Sequence, residues 1–339
     1  MYYVAHGRHS TVRLGGKDYT FPGYGQSGLF YSHSTMQRGL FDRSTITMPV
    51  TNEMIEREEN CIGITAERKY YYVDNTFIKR SLRPHEWQLS KFKGTTHVPR
   101  QSNERLLNEA ACLRYIRDNS NIPVPRLYCA FEDDNAVILV TEYVRGVGMN
   151  LLDESQRATV VQELEGHLQT LRRLKSSVIG GPSGHVVLPY RASRISYRDD
   201  WNLRSSTTEE FVFCHNDLTQ TNVIVDPDSL KIKAIIDWEY AGFYPEYFER
   251  RFFERHGPSS AMDGEVDDSQ KLVHFVQSMV RYYHISWAAR YDNPRLTTCR
   301  WQRRSPTQGS HLTPLRRARS RNSKFIWEIL PFGLRAVSY

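Results

Sequence analysis

Phe211-Val212-Phe213-Cys214-His215-Asn216-Asp217-Leu218-Thr219-Gln220-Thr221-Asn222, followed fifteen residues later by Asp237-Trp238-Glu239, is the stretch on which the fold turns. Between the two signatures lie Val223-Ile224-Val225, an Asp226-Pro227-Asp228-Ser229 turn, and Lys231-Ile232-Lys233-Ala234-Ile235-Ile236. The second run alternates at 232, 234 and 236, so the spacing predicts a hairpin. A hairpin folds its two ends together and would bring Asp217, Asn222 and Asp237 to one spot. Two carboxylates and an amide oxygen suit a hard cation such as Mg²⁺, which takes few protein ligands and completes its shell with phosphates and water.

The spacing His-x-Asp-x-x-x-x-Asn is also that of a kinase catalytic loop, in which the Asp takes the proton of an attacking hydroxyl and the Asn holds metal. Average residue usage would place these three types at these offsets in roughly one chain in a hundred of this length. The competing reading is a capped turn, with Asp217 and Asn222 as turn residues and His215 as a satisfied core histidine.

Upstream, a phosphoryl-transfer site needs a cation on the nucleotide phosphates and an acid to hold that cation. The segment 70–80 reads as two short strands around Asp74-Asn75. It ends with Lys79 in the apolar setting Thr76-Phe77-Ile78. A helix is predicted over 102–118, where Leu106, Leu107, Ala110, Leu113 and Ile116 recur at helical spacing, and Glu109 lies near its packing face. Lys79 and Glu109 are the candidate pair, with Arg80 and Glu104 as the fallback. Snorkelling from a strand edge and a solvated helix flank are the alternatives for the two. The run Ala136–Val144 is continuously apolar and β-branched, as a buried strand is. Glu142 and Val144 at its end could read an adenine edge through their main chain, with Thr141 lining the pocket.

Residues 52–60 read as a short charged helix, 121–134 as an extended connector into a strand, and 153–176 and 268–285 as helices. This order predicts an α+β arrangement: a small β-rich N-lobe over 51–145 and a mostly helical C-lobe over 146–285.

The chain has 339 residues, 40% of them hydrophobic, and a formal charge of +7. Disorder over its whole length is excluded by that apolar content, and no run reaches the roughly 18 apolar residues of a membrane helix. The N-terminus lacks the apolar core of a secretory signal. The five cysteines (61, 112, 129, 214, 299) are scattered, without a C-x-x-C pair, and read as reduced thiols of a cytoplasmic protein.

The charge is uneven. Residues 1–50 hold five basic and two acidic residues (+3), residues 281–339 twelve and two (+10), and 51–280 the remaining 28 and 34 (−6). Residues 1–50 and 286–339 therefore read as basic, poorly ordered extensions, and the net charge describes the ends rather than the middle. Nucleic-acid binding through the Arg-rich stretch 300–324 is a minor alternative.

These residues resemble the aminoglycoside phosphotransferase/choline kinase-like family, which has a protein-kinase-like two-lobe fold. The resemblance is carried by Phe213-Cys-His215-Asn-Asp217-Leu…Asn222, Ile235-Ile-Asp237-Trp238-Glu239, Phe77-Ile-Lys79, Asn108-Glu109-Ala110 and Thr141-Glu142-Tyr143-Val144. It spans roughly 55–285 and looks closest to fungal-type phosphotransferase-domain proteins. It implies an ATP- and Mg²⁺-dependent transfer of the γ-phosphoryl group to a hydroxyl of a small molecule. Asp217 would be the catalytic base, Asn222 and Asp237 the metal ligands, and His215 a brace of the loop. Lys79 would contact the phosphates, held by Glu109. Glu239, Tyr240, Glu246, Glu249 and the acids at 265–268 are candidates for a hydroxylated or cationic acceptor, or else a solvated face.

Two departures stand out. Gly63 is the only glycine between Asn60 and Phe77, so no Gly-rich phosphate loop is present. This opens the alternative of a catalytically impaired kinase-like binding module. Beyond about 285 the chain does not resemble the family's helical C-terminus.

Overall fold

The computed structural model describes residues 9–14, 17–22, 57–90 and 94–278, apart from 197, 199, 200, 202–204 and 209. The expectations for 286–339, for 279–285 and for 52–56 lie outside these residues. Residues 57 and 58 are not helical, and 59–60 form a turn, so this end of the charged segment enters a strand instead of a helix.

The first elements are a hairpin of β1 (His9–Leu14) and β2 (Lys17–Pro22), inside the segment that composition reads as a poorly ordered extension. Tyr19 anchors it: it is 2% exposed, its ring lies tilted 5.8 Å from that of Phe131, and its hydroxyl donates to Asp133 at 3.0 Å. Its pairing comes from partners more than a hundred residues away, which local periodicity does not carry.

The N-lobe sheet comprises β3 (Cys61–Ile64), β4 (Arg68–Val73), β5 (Thr76–Ser81), β6 (Leu127–Asp133) and β7 (Ala136–Glu142), in the order β3-β4-β5-β7-β6, every pair antiparallel. Left-handed backbone at Asp74, and at the consecutive Asp134 and Asn135, makes the tight turns of its hairpins; Asp and Asn are the side chains that tolerate it best. The end of the predicted connector 121–134 is therefore β6, and only its Pro-containing part is irregular. Residues paired across an antiparallel ladder share a face. Lys79 pairs with Tyr70 and Leu139, and faces α1 (Ser102–Asn119). Leu106 and Ala110 of α1 pack on Val137 and Leu139.

Arg80, one residue on, faces the opposite side. There its guanidinium, fully buried, meets Glu58 and Glu86 at 2.7 Å, and the Lys69 ammonium meets the same two carboxylates. Alternation thus excludes the fallback cation from the side of the sheet that Lys79 and α1 share.

After β8 (Val147–Gly148), α2 (Glu154–Arg173) starts at a capping box: Asp153 accepts from Gln156 N and the Gln156 side chain accepts from Asp153 N. Val160, Leu164, Leu168 and Leu171 form its buried stripe against Phe211 and Phe213. β9 (Lys175–Ser176), the single-turn α3 (Tyr190–Ser193), β10 (Phe211–Cys214), β11 (Val223–Val225), β12 (Ile232–Ile235), β13 (Gly242–Tyr244) and α4 (Ser269–Ser278) complete the described residues. β10 is buried along its length between β13 and β9, and β11 pairs with β12 and β8. Among the described residues no helix is long and apolar enough to cross a membrane.

Candidate active site

The segment read as a catalytic loop begins where β10 ends, and a set of side-chain-to-backbone bonds fixes its path. Asn216 takes left-handed backbone, φ 68°, and donates its amide to Tyr240 O at 2.9 Å. The His215 ring lies 4.5 Å from the Trp238 ring. Its Nε2 donates to Ile236 O at 3.0 Å while Nδ1 accepts from Asp217 N at 3.3 Å. Burial pushes His215 down to about 4, which keeps the ring neutral and in the tautomer this bridge needs. Glu249 closes the loop from behind by accepting from the main-chain N–H groups of His215 and Asn216.

The β11–β12 hairpin pairs Val223 with Ile235, and Ile236 N donates to Asn222 O at 2.9 Å, so the residues flanking Asn222 and Asp237 are joined through the main chain. Asn222 spends its amide nitrogen on Asp217, donating to O at 2.7 Å and to Oδ2 at 3.2 Å. Its amide oxygen is the donor atom left for a cation. Asp237 sits at φ 68°, ψ 53°, a left-handed conformation that costs a non-glycine residue on the order of 1 kcal/mol and is typical of functional sites.

Lys79 reaches across from β5. Its Nζ is 2.8 and 2.9 Å from the two Glu109 oxygens and 2.7 Å from Asp237 Oδ1. Glu109 is held there because its neighbour Asn108 bolts α1 to the Asp-Trp-Glu segment, donating to Glu239 O at 3.0 Å and Ala241 O at 2.8 Å. The Asn108 oxygen accepts from Ser183 at 2.7 Å, beside Gly181, where a Cβ would lie only 1.8 Å from it.

The charges sort the three acids. Asp217 is pushed up to about 7 by burial and by the Asp237 charge, with Ser259 and Asn222 hydrogen bonds pulling the other way. Burial pushes Glu109 up to about 7 against the pull of Lys79. Burial acts on Asp237 too, but Lys79 outweighs it and brings Asp237 down to about 2. The ammonium itself is raised: its burial is outweighed by Asp237 and Glu109. Two carboxyls, Asp217 and Glu109, are thus poised near neutrality and the third, Asp237, is fixed as an anion, the spread of environments that acid–base sites show.

Arg68, Arg105 and Glu67 escape the sequence reading, which takes Glu239 only as a candidate acceptor contact. Glu239 is 6% exposed and ion-paired to Arg68 and, at 3.4 Å, to Arg105. Arg105 also binds Glu67 and donates to the Tyr240 hydroxyl. Oxygens of Glu109, Asp237 and Glu239 lie within 4.8 Å of one another, so the acids nearest Asp237 include one not read as a ligand.

Most of the acids read as acceptor contacts are engaged by cations or backbone of this chain. Asp268 binds Arg191 at 2.8 Å, Glu265 binds Arg255 at 2.5 Å, and Glu246 binds Arg172 at 2.8 Å. At the other end of the cleft, Glu142 closes β7, its N–H donating to Arg126 O at 2.8 Å. The Val144 main chain has no backbone partner among the described residues.

A sequence profile described as the phosphotransferase enzyme family matches residues 95–249. The aminoglycoside 3'-phosphotransferase of Streptomyces fradiae is 30% identical over 204 residues, which cover 47% of this chain and 75% of that protein. The chain belongs to this phosphotransferase family, and its architecture is α+β. Among solved structures, an aminoglycoside-3'-phosphotransferase of type VIII matches at 18% identity and a TM-score of 0.37, covering 56% of this chain and 75% of that one. A streptomycin–ATP–APH(2")-IIa ternary complex matches at 8% identity and a TM-score of 0.37, covering 57% and 69%.

Proposed function

We propose that the protein transfers the γ-phosphoryl group of ATP to a hydroxyl of a small molecule, with Asp217 as catalytic base. The observation that carries this reading is the convergence of Lys79 on Glu109 and Asp237 beside an Asp217 whose carboxylate is oriented by Asn222. In this reading Lys79 is the cation for the nucleotide phosphates and Glu109 keeps it in place. The acceptor hydroxyl gives its proton to Asp217 as the oxygen attacks phosphorus.

The oxygen donors of Asp237 and Asn222 fit a hard divalent ion, and Mg²⁺ bound there would neutralise charge on the phosphate oxygens. The neutral His215 holds the loop and moves no proton. Glu142 and Val144, at the exit of β7, are the groups for the adenine edge. Residues 51–145 act as the nucleotide lobe and 146–285 as the lobe that carries base and metal ligands. The acceptor is a hydroxylated small molecule; the internal pairing of Glu265 and Asp268 disfavours those two as the recognition of a cationic one.

The test is mass-spectrometric detection of phosphorylated products after incubating the full chain with Mg·ATP and a pool of hydroxylated metabolites, including aminoglycosides. Products formed by the wild type and missing with Asp217→Asn support the reading. Mg·ATP binding without any product would favour instead a kinase-like binding module, the reading suggested by the absent Gly-rich loop.

A further inference from the structure

The turn between β3 and β4 is Thr65-Ala66-Glu67, without glycine, and a side chain organises it: the Thr65 hydroxyl accepts from Arg68 N at 3.1 Å and Glu67 N at 3.3 Å. The Thr65, Glu67 and Arg68 amides are therefore spent on the turn itself, which leaves too few N–H groups for the cradle by which Gly-rich loops hold phosphates. Arg68 follows directly. It pairs with Ser81 across the ladder while Tyr70 pairs with Lys79, so Arg68 and Lys79 emerge on the same face, two strand positions apart.

The Arg68 side chain is 3% exposed and its guanidinium is ion-paired with Glu239, within electrostatic reach of both Lys79 and Asp237. Its Nε is buried with no hydrogen-bond partner among the described residues.

We propose that Arg68 is a phosphate-binding residue for the nucleotide and takes the place of the missing Gly-rich loop. This rests on the phosphoryl-transfer reading of the same site and deepens it. Three cations surround the acids here, and they differ in what they can release. Lys79 cannot leave without abandoning Glu109 and Asp237 together. Arg105 fastens both Glu67 and Glu239. Arg68 alone of the three can turn away and leave its partner paired, because Glu239 keeps Arg105. A guanidinium also offers the planar pair of donors that matches two phosphate oxygens, which an ammonium does not. In the nucleotide-free protein Arg68 is held on Glu239; with nucleotide bound, the phosphates compete for it.

The test is calorimetric titration of the full chain with Mg·ATP and, separately, with adenosine. Arg68→Gln is expected to weaken Mg·ATP by about tenfold or more, the worth of a charge-assisted bond, and to leave adenosine binding unchanged. Arg68→Lys should fall between. A thermal melt checks folding, and the double variant Arg68→Gln/Glu239→Gln, which removes the abandoned carboxylate, repeats the measurement if the single variant melts early. Wild-type affinity for Mg·ATP in the Gln variants overturns the proposal. Tighter binding does so too and would make the pair a lock on the site. A wild type that binds neither ligand overturns the phosphoryl-transfer reading, and this proposal with it.

Discussion

The Nζ of Lys79 lies 2.7 Å from Oδ1 of Asp237, 158 positions further along the chain. The same ammonium holds Glu109 at 2.8 Å, so a single cation keeps two carboxylates from facing each other in a largely buried space. Lys79→Met is expected to cost about 3 kcal/mol of stability, since removing one partner of a buried ion pair orphans the other, and the partial exposure of Asp237 limits the loss. The double variant Lys79→Met/Glu109→Gln should recover part of that stability and none of the phosphoryl transfer. Chemical denaturation and an ATP-turnover assay read the two effects, and equal stability of the single variant and the wild type would contradict the pairing.

Asp217 is pushed up to about 7, so in the proposed role it would be a base only once deprotonated. The rate of transfer should therefore rise with pH through about 7 and level off above it. Asp217→Asn should lower turnover by roughly 10²- to 10⁴-fold, the usual worth of a positioned base, and leave Mg·ATP affinity in place. Because the Asn side chain carries no charge to bury, the variant should melt no lower than the wild type at pH 8. A variant that turns over ATP at the wild-type rate, or a pH profile flat between 5 and 9, would remove Asp217 from that role.

Much of this arrangement was legible in the sequence because its parts are local. The alternation at 232, 234 and 236, the Asp226-Pro227 turn and the two flanking signatures are each short-range, and together they define the hairpin that draws Asn222 toward Asp237. Lys79 and Glu109 could be paired only by assuming the site. The structure adds where Arg80 goes: strand alternation sends it away from the face that Lys79 shares with α1, into a separate buried network with Glu58, Glu86 and Lys69. Arg68, Arg105 and Glu239 were not legible as a group, since their partnership joins three distant segments and each alone looks like a surface charge. Tyr19 was missed for the same reason, its burial being supplied by Phe131 and Asp133. The acids at 265–268 stay open in the sequence between an acceptor contact and a solvated face, because composition counts charges and does not show that Arg191 and Arg255 hold Asp268 and Glu265.

Gly181 offers a test of how firmly α1 is fastened. A Cβ there would come 1.8 Å from the Asn108 oxygen, and Asn108 is fully buried and committed to Glu239 O, Ala241 O and Ser183. Gly181→Ala should force that side chain aside, break contacts on both sides of the cleft and cost about 1–3 kcal/mol, as overpacking does. Glu109 moves with the helix, so the KM for ATP should rise as well. A melt and a steady-state assay measure both, and an unchanged melting temperature would mean that Asn108 does not fasten α1.

Glu249 accepts from the main-chain N–H groups of His215 and Asn216 through Oε2, while Oε1 is buried without a hydrogen-bond partner among the described residues. Burial pushes this carboxyl up from 4.5 to about 7, and Oε1 is the oxygen free to carry a proton. The folded state therefore binds a proton that the unfolded chain has already lost between these two values. Stability from this group is fully present below about 4.5 and is lost as pH rises through 7. Glu249→Gln keeps an oxygen for both N–H groups and cannot titrate. Its stability relative to the wild type should improve between pH 4.5 and 8, by at most about 3 kcal/mol for a shift of this size. His215, held down near 4, contributes the opposite slope, but it does so in both proteins and cancels from the difference. Urea denaturation of the two proteins at pH 5 and pH 8 makes the comparison; parallel curves would show that Glu249 braces the catalytic loop as an ordinary ionised carboxylate.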